Sequence, residues 1–134
     1  MNNEQLTFPG FTDYLTCLLW SSVHFESEDD SGTPFDEIDA EFSEAALDKL
    51  LEEYRDFYSG TIEPELEAWE PDDNQPWPLS DEQIGHDFCL TRNGHGAGFW
   101  DRGLGELGDR LTAACKPYGS IDIYLSDSGE IEAM

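Results

Sequence analysis

The chain reads as an α+β protein, with acidic N-terminal helices packed on a small antiparallel sheet and one helix inserted between C-terminal strands. Three observations predict this. Residues 11–19 and 43–58 carry apolar side chains at three- and four-residue steps. Residues 121–126 alternate Ile121, Ile123 and Leu125 with Asp122, Tyr124 and Ser126, the two-residue period of a half-buried strand. Between them, residues 104–114 return to helical spacing. The length of 134 residues fits one domain, with residues 1–82 its acidic helical part and 83–134 its strand-loop-helix-hairpin part.

In order, residues 1–8 read as a loose start. Phe11, Tyr14, Leu15, Leu18 and Leu19 then form one apolar stripe, which Trp20 closes. Residues 26–41, ESEDDSGTPFDEIDAE, read as an acidic connector or solvated loop. Its length, about 16 residues, is long for a loop in a compact domain. Ser43 is a helix cap. Leu47, Leu50, Leu51, Tyr54, Phe57 and Tyr58 mark the clearest helix, which Gly60 is expected to stop. The opposite face of that helix carries Glu44, Asp48, Glu52 and Asp56, each four residues from the next.

Pro64 opens a short helix through Trp69. A proline-rich acidic loop follows at 70–78, and Ser80 caps a short turn before Gly85. Phe88 and Leu90 place residues 86–93 in a strand, and the GHGAG run at 94–98 is its turn. Leu104, Leu107, Leu111 and Ala114 define the inserted helix, weakened by Gly105 and Gly108 at about 1 kcal/mol each. Asp127, Ser128 and Gly129 form a hairpin turn into a last strand at 130–133.

Charge narrows the functional classes. Thirty-one Asp and Glu face six Lys and Arg, a formal net charge of −25. Residues 1–82 hold 23 acids and two bases, a net −21; residues 83–134 hold eight acids and four bases, a net −4. Solubility in a small domain needs a net charge of only about 2–8 in magnitude, and repulsion on the present scale opposes compaction. Salt adaptation would spread the acids evenly along the chain. A general basic surface for nucleic acid is excluded, because phosphate contacts need Lys and Arg. The three cysteines (Cys17, Cys89, Cys115) form no CxxC pair and fit free thiols in a reducing compartment. No basic stretch precedes an apolar run at the N-terminus, and the apolar cluster at 15–20 falls far short of the ~20 residues of a membrane span. A cytoplasmic protein without a membrane partner is expected.

Residues 85–102, GHDFCLTRNGHGAGFWDR, are the least acidic and most glycine-rich stretch. They resemble a family of small acidic proteins carried by bacteriophages and prophages, whose pattern runs GHDFWLTRNGHGAGFWDRG, then a short helix and a Gly-anchored strand. The match falls on Gly85, His86, Asp87, Phe88, residues 90–102, Gly119 and Tyr124. Cys89 departs from it, since the family more often has Trp there. The front half is similar only loosely, through LLWSS at 18–22, FDEID at 35–39 and the helix ending at Phe57. The specific likeness covers about a third of the chain. It implies a phage origin and hence a bacterial cytoplasm, and it carries no reaction with it.

Two candidate sites follow. The first is the acidic surface: Glu28, Asp29, Asp30, Asp36, Glu37, Asp39, Glu44, Asp48, Glu52, Asp56, Asp72 and Asp73. Carboxylates four residues apart on a helix lie ~6 Å apart along its axis, and phosphates of one DNA strand advance ~3.4 Å per residue. A carboxylate row flanked by acidic loops therefore approximates part of a nucleic-acid backbone. Its partner would be the basic nucleic-acid-binding surface of a host protein complex, such as a CRISPR effector, a restriction system or another DNA-binding protein. The expectation is a non-enzymatic inhibitor that needs no cofactor. Scattered aromatics such as Trp69 and Trp77 would add contact area.

The second is His86, Asp87, His95 and Asp101 around the GHGAG loop, as an enzyme or a ligand- or metal-binding module. The spacing matches no zinc motif, and the loop is neither GxGxxG nor GxxxxGK[ST]. The same residues serve equally well to stitch a loop, with Asp101 pairing with Arg92 or Arg102 and the glycines allowing a tight connection. Phe99 and Trp100 read either as core plugs or as an exposed anchor.

Overall fold

The residue pattern sorts into helices and two small hairpins in a computed structural model that describes residues 1–70, 76–96 and 98–134. The α+β class is as expected. Its helices are α1 (Asn3–Thr7), α2 (Phe11–Ser21), α3 (Glu44–Phe57), α4 (Glu63–Ala68), α5 (Asp81–Arg92) and α6 (Glu106–Cys115). The strands β1 (Val23–His24) and β2 (Thr33–Pro34) form one antiparallel pair; β3 (Ile123–Leu125) and β4 (Ile131–Ala133) form another.

The largest correction concerns residues 86–93. They are not a strand, so α6 is not inserted between strands. Ser80 caps a full helix, its side chain accepting from Gln83 N–H, with Asp81 and Glu82 in the first turn. Ile84, Gly85, Asp87, Phe88, Cys89, Leu90 and Arg92 are all buried. A helix buried on most sides loses its one-sided apolar stripe, and Phe88 with Leu90 then mimics a two-residue period. Gly85 is required at its place: a Cβ there would stand 1.9 Å from the Gly10 carbonyl oxygen, so α2 and α5 approach backbone to backbone.

α3 follows the sequence closely. Ser43 accepts from Ala46 N–H, and Leu47, Leu50, Leu51, Tyr54 and Phe57 all turn inward. Each fully buried side chain of this size contributes about 1.5–3 kcal/mol. Tyr54 stacks on Tyr14 at 5.6 Å and 18°, and Phe57 on Phe88 at 4.6 Å and 27°. These rings tie α3 to α2 and α5.

Gly60 does not stop the helix. A wide π-helical turn over Tyr58–Ile62 carries the chain into α4, with Glu63 N–H donating to Tyr58 C=O. The extra residue per turn keeps Ile62 buried together with Phe57. The chain start is ordered too: Asn2 and Gln5 form a reciprocal capping box on α1. Phe8 packs edge-on against Tyr54 and Tyr58.

The acidic connector is structured as well. It spans the turn between β1 and β2 and a 3-10 turn at Phe35–Glu37, and it is pinned by buried Phe35, which meets His24 edge-on. Within it Asp30 accepts from Glu26 N–H and Gly32 N–H. The C-terminal hairpin turns at Gly129 with φ +84°, as the Asp-Ser-Gly signal predicts. β4 adds a parallel bridge from Ile131 to Phe42, which ties the hairpin to the start of α3.

Candidate functional site: the acidic surface and the Asp87 cluster

The few cations decide how the negative charge is displayed. Lys49 lies 4.0 Å from Glu53, Arg55 pairs with Glu4, and Arg110 forks onto Glu65 at 2.7 and 2.9 Å. Arg92 and Arg102 are drawn toward the interior, onto Glu53 and Asp87. Five of the six bases are thus held by four carboxylates. Among the described residues no cation forms an ion pair with Glu28, Asp29, Asp36, Glu37, Asp39, Glu44, Asp48, Glu52 or Asp56, and all nine are exposed. Asp36, Glu37 and Asp39 lead through Ser43 into the α3 row.

Three of the expected acids are less available than the sequence suggests. Asp48 takes a long 3.5 Å hydrogen bond from Gln5, and Asp56 accepts from the Tyr118 hydroxyl at 2.5 Å. Asp30 is half-buried and used within its own loop, where the Glu26 and Gly32 N–H groups hold its carboxyl below the usual range. Asp72 and Asp73 lie outside the described residues. Trp69 and Trp77 meet edge-on at 5.6 Å and are half-buried against the core.

The second candidate divides. Asp87 is fully buried on α5 and receives two hydrogen bonds from Arg102, Nε at 3.0 Å and Nη2 at 2.7 Å. His86 Nδ1 lies 3.3 Å from the same carboxylate, and its ring stacks on Trp20 at 5.8 Å. His86 and Arg102 border an open depression of about 390 Å³, with Thr16 and Gln83 on its walls. His95 and Asp101 are exposed and hydrogen-bond to neither member of this cluster. The predicted pairing of Asp101 with Arg92 or Arg102 is replaced. Arg102 forks onto Asp87, and Arg92 bonds Glu53, the Tyr14 hydroxyl and the carbonyls of Tyr118 and Gly119. The sequence reading missed Arg102 as the partner of Asp87. Both residues lie in the 85–102 stretch, but only a helix at 81–92 brings them together.

Chemically, this cluster is a staple. Among the described residues every buried side-chain polar atom has a hydrogen-bond partner, and no group of three His, Cys, Asp or Glu is placed to hold a metal ion. Phe99 is buried and Trp100 exposed, so each fulfils one of the two readings for that pair. Cys17 and Cys89 face each other across α2 and α5. Hydrogen bonding from Cys89 holds the Cys17 thiol below its usual range, and that bond together with burial pushes Cys89 up. Burial pushes Cys115 up to about 12. Among the described residues no helix is long and apolar enough to cross a membrane. No protein-family model matches the chain, and neither does any curated protein or solved structure.

Proposed function

We propose that this chain is a phage-encoded, cytoplasmic, non-enzymatic inhibitor that mimics nucleic acid and occupies the basic nucleic-acid-binding surface of a bacterial protein complex. One observation carries the reading. Five of the six bases are taken up by four carboxylates, while the outer row of α3 and Glu28, Asp29, Asp36, Glu37 and Asp39 before it stay exposed and without ion pairs among the described residues. A protein that used its acids only for solubility would intersperse both signs over its surface. Here Glu44, Asp48, Glu52 and Asp56 run along ~18 Å of helix, on an element anchored by five large apolar side chains and so presented rigidly. A groove built for phosphates would meet this face with fast, salt-sensitive association. The phage origin rests on the likeness of residues 85–102 to the phage-borne proteins.

The experiment is capture of partners from bacterial lysate on the intact chain, with duplex DNA competing in a parallel arm and a Glu44→Lys, Asp48→Lys, Glu52→Lys variant in a third. The expected result is stoichiometric retention of one nucleic-acid-binding complex, its displacement by DNA, and its loss with the variant. Retention that ignores both DNA and the charge reversal would sink the proposal.

A further inference from the structure

We infer that the groove between β1 and β3 accepts an extended, basic peptide segment of a partner protein as an added strand. The inference goes beyond the mimic reading and rests on the strand edges of β1 and β3, not on the α3 row, although Glu28 and Asp29 belong to both surfaces.

The argument begins with which strand edges are already taken. In the C-terminal hairpin the backbone groups of Asp122 and Met134 bond each other at 3.1 and 2.9 Å, and Ser126 N–H bonds Glu130 C=O at 2.8 Å. Antiparallel pairs alternate between bonded and non-bonded positions, so Ile123 and Leu125 turn their N–H and C=O away from β4. The same alternation is visible on β4, where Ile131 turns outward and is met: its N–H donates to Glu41 C=O at 2.8 Å, and its C=O accepts from Ser43 N–H at 2.9 Å. The β4 edge is therefore covered, whereas among the described residues the outward N–H and C=O of Ile123, a residue 7% exposed, take no backbone hydrogen bond.

β1 has the matching arrangement. Phe35 N–H donates to Ser22 C=O at 3.0 Å, and the register pairs Val23 with Pro34 and His24 with Thr33. Val23 sits at a non-bonded position, which suits a proline opposite it, and its own N–H and C=O point away from β2.

The two unpaired edges line one groove. A depression of about 610 Å³ has residues 21–23 and Phe25 on one side and residues 120–123 on the other, with Asn93 and His95 also lining it. Asn93 Oδ1 already takes the Ile121 N–H at 2.8 Å, which ends the free stretch of β3. Ser22, extended at φ −111° and ψ 148°, and β1 offer about 10 Å of extended wall. Unpaired strand edges are templates for an incoming strand. Val23 and Phe25 stand 45% and 58% exposed and give apolar footing for alternate side chains of that strand.

Charge selects the occupant. Asp122 lies in the groove, Glu26, Glu28 and Asp29 follow directly after β1, and all four are exposed in a chain of net charge −25. An acidic or neutral strand gains nothing from this field, whereas one with Lys or Arg at alternate positions does.

The test uses the intact ¹⁵N-labelled chain and three ten-residue peptides: alternating Lys-Val, the same peptide N-methylated at every second residue, and alternating Glu-Val. The Lys-Val peptide should shift the Val23 and Ile123 amides and protect them from hydrogen exchange. N-methylation keeps the charge but removes strand bonding and should weaken binding at least tenfold, while Glu-Val should not bind. Val23→Pro should likewise weaken Lys-Val binding tenfold or more. If that variant fails to fold, the peptide comparison decides alone. Equal binding of the methylated peptide, shifts confined to α3 amides, or no binding would each overturn the inference. The α3 triple reversal should retain the discrimination against N-methylation, so failure here and failure of the mimic reading are separately visible.

Discussion

α5 and the outer row of α3 use charge in opposite ways. On α5, Asp87 and Arg92 are buried, and each is held by opposite charge and several hydrogen bonds. On α3, Glu44 and Glu52 stand exposed, and among the described residues no cation bridges them. Charges taken out of water demand partners and so fix geometry. Charges left in water repel one another weakly and fix nothing, so they remain available to a partner. The chain has six bases against 31 acids and commits Arg92 to the interior and Arg102 to buried Asp87, which leaves the surface strongly negative.

The comparison is broken most severely at Arg92, whose side chain is only 1% exposed. Arg92→Met should cost about 3–5 kcal/mol in urea unfolding, because Glu53, the Tyr14 hydroxyl and two carbonyls lose their partner together. Gly85→Ala should cost about 1–3 kcal/mol by forcing α2 and α5 apart. A helical circular dichroism signal and midpoint unchanged from the parent would refute the close approach of the two helices.

Reversing Glu44, Asp48 and Glu52 to Lys should leave the midpoint within about 1 kcal/mol of the parent, since like charges four apart cost only about 0.2–0.5 kcal/mol per pair. Partner capture should nonetheless disappear. Salt sharpens the same contrast. Raising it from about 0.01 to 1 M shortens the screening length from roughly 30 to 3 Å, so the melting temperature should climb by a few degrees as surface repulsion fades. A fall would mean that the surface ion pairs, not the repulsion, dominate.

Glu65 gives the smallest effect. Hydrogen bonds from Arg110 hold its carboxyl below the usual range. A depressed folded value contributes stability above the unfolded value, which is lost as pH falls through the folded one. Glu65→Gln should therefore cost less than about 1 kcal/mol at neutral pH, because Arg110 is half exposed. The difference should begin to shrink as pH falls past the ordinary Glu value of about 4.3 and vanish only below the lower folded one.

Where one face of an element is wet, the sequence was easy to read. α3 shows its apolar row, its cap and its carboxylate row directly, because Leu47, Leu50, Leu51, Tyr54 and Phe57 differ in kind from Glu44, Asp48 and Glu52. The Ile123 and Ile131 hairpin is legible for the same reason. Residues 86–93 carry a strand-like pattern because Asp87, Cys89 and Arg92 are buried alongside Phe88, and a helix wrapped on most sides has no polar face to set the period. The helical reading of Tyr58–Ile62 past Gly60, and the order in residues 26–41, depend on distant partners for Ile62 and Phe35 that no local pattern contains.

Of the candidate sites, the acidic row was visible as soon as the charges were counted. The Asp87–Arg102 fork and the unpaired edges of β1 and β3 were not. By itself the sequence determined the sign and uneven distribution of charge, the amphipathic α3 and the hairpin, because these follow from residue type and local spacing. Only the tertiary structure decided where five of the six bases are directed and which strand edges stay unpaired. Both are settled by contacts between residues far apart in the chain, through burial that makes an unpaired charge costly and through strand order that covers one edge and leaves another.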